Sequence, residues 1–79
     1  MRPVEIQHWL RAAPFRPFRV FLSDGSSYEV PHPELALLTQ WHFVVCMDLD
    51  ADGIPKRSVM CDPMHVTRLE PIRANPGGD

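Results

Sequence analysis

The hydrophobic residues of this chain change their spacing near Pro14, and that change limits the fold more than any other feature. Before it, apolar residues recur as on one face of an amphipathic helix. That predicted face consists of Ile6, Trp9, Leu10 and Ala13. After it, from Phe18 onward, apolar and polar residues alternate as in a half-buried strand. Proline ends a helix and disfavours helical conformation in the residue before it, so the sequence predicts one N-terminal helix followed by β structure.

Short strands are predicted over Phe18–Ser23, Ser27–Val30, His42–Leu49, Arg57–Cys61 and Val66–Ile72. Asp24-Gly25 and Asp52-Gly53 indicate tight turns, because these residue types tolerate positive φ. The segment ELALLTQ fits either a helical turn or a short strand. The predicted fold is mainly β with one N-terminal α-helix, as a small, strongly bent, five-stranded antiparallel barrel of Sm-like or SH3-like type. Residues 1–72 form the predicted single domain, and residues 73–79 a disordered tail.

A chain of 79 residues buries a modest core, and domains of this size are commonly supported by disulfides, a metal or self-association. Two cysteines, Cys46 and Cys61, are too few for a disulfide scaffold. The N-terminal residues lack the apolar run of a signal peptide, and no stretch is long enough to span a bilayer. We therefore expect a cytoplasmic protein that does not enter membranes and that forms homo-oligomers or binds a protein partner.

The net charge of −2 is unevenly distributed. Residues 1–19 carry four arginines and one glutamate, which gives +3, and the remaining residues carry four basic and nine acidic side chains, which gives −5. This balance does not favour binding to DNA, while the basic end leaves RNA as an alternative partner to the acidic body of a neighbouring copy.

The stretch DLDADG resembles the start of an EF-hand calcium loop, with Asp48, Asp50 and Asp52 at alternate positions before Gly53. The twelfth position, which needs a bidentate glutamate, falls on Val59. Both flanks are predicted strands, whereas an EF-hand needs a helix on each side. The stretch is therefore interpreted as a hairpin turn, and no metal site or cofactor is predicted.

No pattern of catalytic residues stands out, so an enzyme is not predicted. A pairing centred on Gly53-Ile54 would bring Cys46 and Cys61 opposite each other, and core packing is the preferred role for both. The less favoured hypothesis is a metal-dependent enzyme that uses His32 or a metal held by the cysteines. Aromatic residues are common in protein interfaces, and the candidate interface residues here are Trp9, Phe21 and Trp41.

The order of elements resembles the Sm-like fold of bacterial Hfq proteins. RVFLSDGSSYEV is similar to the first hairpin of that family, and HVTRLEP to its closing strand. The family's Tyr-Lys-His signature corresponds here to Asp62–His65, which retains the histidine. The resemblance implies a ring that binds single-stranded RNA, and the RNA contacts would be Arg11, Arg16, Arg19 and His65.

The chain also resembles a group of small bacterial proteins, common in planctomycetes, that share RPF, DG and VPHPE segments and for which no activity is known. Here those segments are 16–18, 24–25 and 30–34. The preferred expectation is a small, noncatalytic bacterial module for binding or self-association. The alternative is an RNA-binding protein of Hfq type.

Overall fold

A computed structural model describes residues 1–72 of the chain. The helix α1 covers Pro3–Leu10. The strands are β1 (Phe18–Leu22), β2 (Ser27–Val30), β3 (Ala36–Leu38), β4 (Phe43–Leu49), β5 (Pro55–Cys61) and β6 (Val66–Pro71). Two single 3-10 turns, Pro33–Leu35 and Pro63–His65, precede β3 and β6. Neither α1 nor the 3-10 turns of the described residues are long and apolar enough to cross a membrane.

The strands form two antiparallel sheets of three strands each. The first sheet has the order β2-β1-β6, and the second has the order β3-β4-β5. Val20 lies opposite Tyr28 on one side and Leu69 on the other, so β1 is the centre of the first sheet. In the second sheet β4 is central, with Val45 opposite Ala36 and Val59. Successive side chains of a strand point to opposite faces of the sheet, so every second residue of β1 and β4 lies on the side of the core.

The core lies between the two sheets and α1. Phe18, Val20, Val30, Phe43 and Val45 are completely buried in it. The helix contributes Ile6, which is also completely buried, and Trp9, whose ring meets Phe18 edge-on at 5.4 Å. A helix of eight residues is too short to be stable alone, so its contact with the sheets through Ile6 holds it in place.

The structure confirms a mainly β chain with one N-terminal helix. It has six strands rather than five, and the described residues form two small sheets and no closed barrel. The segment ELALLTQ contains both structures left open by its sequence, because a 3-10 turn ends at Leu35 and β3 begins at Ala36. The predicted disordered tail, residues 73–79, lies outside the described residues.

The helix ends earlier than predicted. It stops at Leu10, and the N–H of Arg11 closes it by donating to the carbonyl of Gln7 at 2.9 Å. Ala13 is exposed and outside the helix, so its assignment to the apolar helical face is wrong. The chain leaves the helix before Pro14 and brings the ring of Phe15 to 6.0 Å from that of Phe18. The segment after Leu10 therefore brings Phe15 to the core instead of forming one further helical turn.

The pairing centred on Gly53-Ile54, which would bring Cys46 opposite Cys61, does not occur. Cys46 lies opposite Ser58, and Cys61 lies opposite Phe43. The β4–β5 hairpin is centred on Asp52 rather than between Gly53 and Ile54, since Leu49 faces Pro55. This shift of centre displaces the register by three residues and separates the two cysteines. Cys61 is buried, Cys46 is half-buried, and both are free thiols.

Candidate functional site

The second sheet carries an apolar row on the face turned away from the core. Leu37 of β3 lies opposite Val44 of β4, and Val44 lies opposite Met60 of β5. Side chains directly opposite one another on antiparallel strands are close enough to touch, so the three form one row across the sheet. Leu37 is 62% exposed and Met60 is 64% exposed. We call these three residues the outer apolar row.

The turn between β3 and β4 exposes Trp41, whose side chain is 77% accessible. Thr39 fixes this turn, because its Oγ1 accepts the backbone N–H of Trp41 at 3.2 Å and that of His42 at 2.9 Å. The backbone N–H of Thr39 in turn donates to the carbonyl of His42 at 2.8 Å. The Trp41 side chain is therefore exposed at the end of the second sheet, on a turn that the hydrogen bonds of Thr39 hold in place.

The other two predicted interface aromatics are less exposed than Trp41. Trp9 is half-buried against Phe18, as part of the contact between α1 and the sheets. Phe21 is half-buried on the first sheet, where the guanidinium carbon of Arg68 lies 3.8 Å from the ring centre. That distance is within the range of a cation–π contact, so one face of Phe21 is already covered.

The four residues predicted to contact RNA lie on separate parts of the surface. Arg11 lines a depression with Leu37 and Leu38, and Arg16 lines a different one with His8 and Trp9. Arg19 forms an ion pair with Glu29, the residue directly opposite it on β2. His65 lies in a third region, beside the β1–β2 turn. The structure does not bring the four together.

His65 lies in an open groove of about 450 Å³ between the β1–β2 turn and the end of β5. Its Nδ1 is 3.0 Å from Oγ of Ser23, and the backbone N–H of Ser23 donates to its carbonyl at 2.9 Å. Its Nε2 is 4.0 Å from Oδ2 of Asp62, which is beyond hydrogen-bond distance. Both His65 and Asp62 are more than half exposed. A nucleophile relay needs its base oriented by a third hydrogen-bonded group, and this arrangement lacks that bond.

Two groups that line this groove, Asp24 and Cys61, have a shifted pKa. The hydroxyl of Ser26 donates to Asp24 at 2.6 Å and its backbone N–H donates at 2.9 Å, and these bonds lower the pKa of Asp24. Burial raises the pKa of the Cys61 thiol, and the negative charge of Asp24 adds to that effect. Cys61 is therefore protonated and unreactive near neutral pH, which suits a packing role.

The stretch DLDADG forms a turn that the Asp50 carboxylate holds in place. Oδ1 of Asp50 accepts the backbone N–H of Asp52 at 2.8 Å and that of Ile54 at 2.9 Å. Asp48 forms an ion pair with Arg57 at 3.2 Å, and Gly53 has a φ of 81°. The flanking segments are β4 and β5, as predicted. Within residues 1–72 no three acidic, histidine or cysteine side chains are grouped so as to hold a metal ion.

His32, a candidate from the sequence, and Pro63, within the segment Asp62–His65, have local structural roles. The carbonyl of His32 accepts the N–H of Leu35 at 3.1 Å and begins a 3-10 turn. Pro63 is buried at the start of the second 3-10 turn, where Asp62 accepts the N–H of Met64 at 2.9 Å. Neither residue interrupts a strand of the structure.

The outer apolar row and the Ser23–His65 contact were not predicted from the sequence. The row depends on the cross-strand register of three strands, and the contact joins residues 42 positions apart. In HFVVCM, Val44 lies between Phe43 and Val45, which are both buried, so alternation along the strand places Val44 on the opposite face. This alternation is the local sequence signal for the row.

Comparison of the chain with protein-family models, with curated proteins and with solved structures finds no match. Function is therefore inferred from the surface of the molecule alone.

Proposed function

We propose that this chain is a small, noncatalytic bacterial binding module that acts by associating with a second copy of itself. The outer apolar row carries the proposal. It places Leu37 and Met60 in solvent on either side of Val44, on a regular sheet that needs no rearrangement to meet a partner. Contiguous exposed apolar side chains on a small domain mark a surface that another protein covers.

A protein partner suits this surface better than single-stranded RNA does. RNA affinity depends on basic side chains that reach several phosphates along one track. Arg11 and Arg16 line different depressions, and Arg19 is paired with Glu29. The acidic body, with a charge of −5 over residues 20–79, would repel phosphates from the rest of the surface. A cytoplasmic setting is part of the proposal, supported by the two free thiols.

We also propose that the two sheets are the halves of one Sm-like or SH3-like arrangement. In this view β2 and β3 are one bent strand, interrupted at the two prolines of the VPHPE segment and the 3-10 turn that follows. The two sheets then join in the order β6-β1-β2/β3-β4-β5, which has five strands. The position of β2 near β4 supports this join. An experimental structure in which β2 and β3 diverge from a common path would contradict it.

The test of self-association is a substitution in the outer apolar row. Met60→Ser removes the exposed thioether without touching the core, and we expect it to weaken self-association at least severalfold in sedimentation equilibrium. Val4→Ser is the matched control, because Val4 is an exposed apolar residue on α1, far in sequence from the row. Equal weakening by both variants, or none by Met60→Ser in a chain that does associate, would contradict the role of the row.

A further inference from the structure

We propose that two copies associate by antiparallel pairing of their β5 strands, centred on Val59, to form one continuous six-stranded sheet. The inference rests on the proposed self-association and specifies the edge, the register and the charges that would carry it. It follows from three features of the segment 55–63: a free edge, two prolines at equal distances from Val59, and a self-complementary charge pattern.

The first feature is the free edge of β5. Within residues 1–72, β5 pairs only with β4 and is the outer strand of the second sheet. It is one of the two longest strands, with seven residues, whereas β3 at the opposite edge has three. An unpaired edge presents backbone donors and acceptors in a row, and proteins block such edges or use them for pairing.

The second feature is the position of the prolines. Pro55 begins β5 and Pro63 follows it, and neither has an N–H to donate. Asp62, between Cys61 and Pro63, has the extended backbone of a strand residue, with φ −81° and ψ 122°. The part of the edge that bears N–H groups therefore runs from Lys56 to Asp62, and its middle residue is Val59. Full-length pairing with a second copy places Val59 opposite Val59.

The third feature is charge. Pairing centred on Val59 places Lys56 opposite Asp62 of the second copy, and the two-fold symmetry repeats this pair at the other end. Among positions 1–72, Lys56 has no ion pair, and the one basic atom within 4.0 Å of the Asp62 carboxylate is Nε2 of His65. Asp62 uses Oδ1 to accept the N–H of Met64, which leaves Oδ2 for a lysine. Opposite charges directly across two strands stabilise the pairing.

The neighbouring registers are less favourable. In a continuous sheet, opposite residues of the two copies point to the same side of the sheet. An alternative register must therefore keep the core-facing residues of one copy opposite the core-facing residues of the other. Centring on Ser58 would place Lys56 opposite Met60, and centring on Arg57 would place two arginines opposite each other. Centring on Met60 would place Lys56 opposite Met64. The register centred on Val59 is the one of these that pairs opposite charges.

The same register covers the Met60 end of the outer apolar row. Lys56, Ser58, Met60 and Asp62 alternate on one side of the segment, and Met60 would lie opposite Ser58 of the second copy. Two outer apolar rows then flank the two-fold axis on one surface. The edge strand β6 of the first sheet lacks a comparable pattern, because its Arg68 is already bonded to Glu70 at 2.7 Å and stacked on Phe21.

The experiment uses charge reversal and mixing at low ionic strength, where exposed ion pairs are least screened. Lys56→Asp alone would oppose two pairs of aspartates, and Asp62→Lys alone would oppose two pairs of lysines. We expect each variant to have a dimer dissociation constant about tenfold or more above that of the unmodified chain, measured by sedimentation equilibrium. Mixed in equal amounts, the two variants should form a heterodimer of nearly unmodified affinity, because both cross-pairs then have opposite charges.

Rescue by mixing separates this pairing from a loss of folding, since two misfolded variants cannot restore each other. Arg16→Asp is the matched control, because it makes the same change in net charge on an exposed residue outside β5. A dimer that Arg16→Asp weakens and that mixing does not rescue would overturn the β5 pairing and leave self-association standing. An unmodified chain that stays monomeric would overturn both.

A second measurement needs no substitution. In a mixture of isotope-labelled and unlabelled copies, filtered nuclear Overhauser spectra detect only contacts between copies. The β5 pairing predicts an intermolecular contact between the Met60 methyl group and Ser58, and another between the two Val59 side chains. Intermolecular contacts confined to α1 or to the Trp41 turn would overturn it.

Discussion

The carboxylate of Asp50 accepts the backbone N–H of Ile54 across the β4–β5 turn, at 2.9 Å. The same oxygen accepts the N–H of Asp52 at 2.8 Å. Together with the backbone bond from Asp50 to the carbonyl of Ile54, these contacts close the turn from both sides. This turn sets the register of β4 with β5, and through it the alignment of Val44 with Met60.

Replacing Asp50 should therefore weaken the hairpin. We expect Asp50→Ala to lower the free energy of unfolding by about 1 kcal/mol, because two backbone N–H groups lose their acceptor and turn to water. Urea denaturation measures the change. Asp50→Asn should retain most of the stability, since its amide oxygen can accept the same bonds, and Asp52→Ala controls for charge. An Asp52→Ala loss equal to that of Asp50→Ala would contradict this account of the turn.

The helix should depend on one residue. Ile6 is the buried residue of α1, and the helix is too short to persist without it. We expect Ile6→Ala to cost about 2–4 kcal/mol of unfolding free energy, because it removes apolar contacts and leaves a cavity. Val4→Ala, at a position 51% exposed on the same helix, should cost less than about 0.5 kcal/mol. Similar losses for the two variants would show that α1 is not held through Ile6.

The two cysteines should differ in reactivity. Alkylation proceeds through the thiolate, and burial raises the pKa of Cys61, whereas Cys46 is partly accessible on the second sheet. We expect iodoacetamide at mildly alkaline pH to modify Cys46 well before Cys61, as followed by peptide mass spectrometry. Unfolding in urea should abolish the difference, which provides the control. Faster modification of Cys61 in the native chain would contradict the described burial.

The lowered pKa of Asp24 leads to a prediction about how the stability of the fold depends on pH. Hydrogen bonds from Ser26 hold the folded pKa of Asp24 below its unfolded value of about 3.9. Because folding lowers this pKa, the ionised carboxylate stabilises the turn at pH values above the unfolded pKa. This contribution is lost as the pH falls through the folded pKa.

An NMR titration of the Asp24 carboxyl carbon measures this shift. We expect a midpoint below that of the same residue in the urea-unfolded chain, and Ser26→Ala should move the midpoint upward. A folded midpoint at or above the unfolded one, or one that Ser26→Ala leaves unchanged, would contradict the proposed bonds.

The parts of the fold that depend on neighbouring residues could be predicted from the sequence. The β1–β2 hairpin followed from alternating residues on both sides of Asp24-Gly25, and Gly25 indeed has a φ of 91°. The β4–β5 hairpin was predicted for the same reason. Its register was not, because the Asp50 carboxylate closes a turn centred on Asp52, and the sequence does not show which aspartate accepts the bonds.

Features that join distant parts of the chain could not be predicted in this way. The end of α1 depends on how Phe15 reaches Phe18, and the division of the strands into two sheets depends on the bend after Val30. The outer apolar row needs the register of three strands at once. The alternation of Val44 with the buried Phe43 and Val45 is a local signal for the row, but it contains no information about which residues lie on either side.

The measurement that tests the central claim most directly is the mass of the unmodified chain in solution over a wide range of concentrations, by sedimentation velocity. Self-association predicts a mass that rises from that of one copy, 9.1 kDa, toward at least twice that value as the concentration increases. A mass that stays at one copy up to the highest concentration reached would contradict the proposed function.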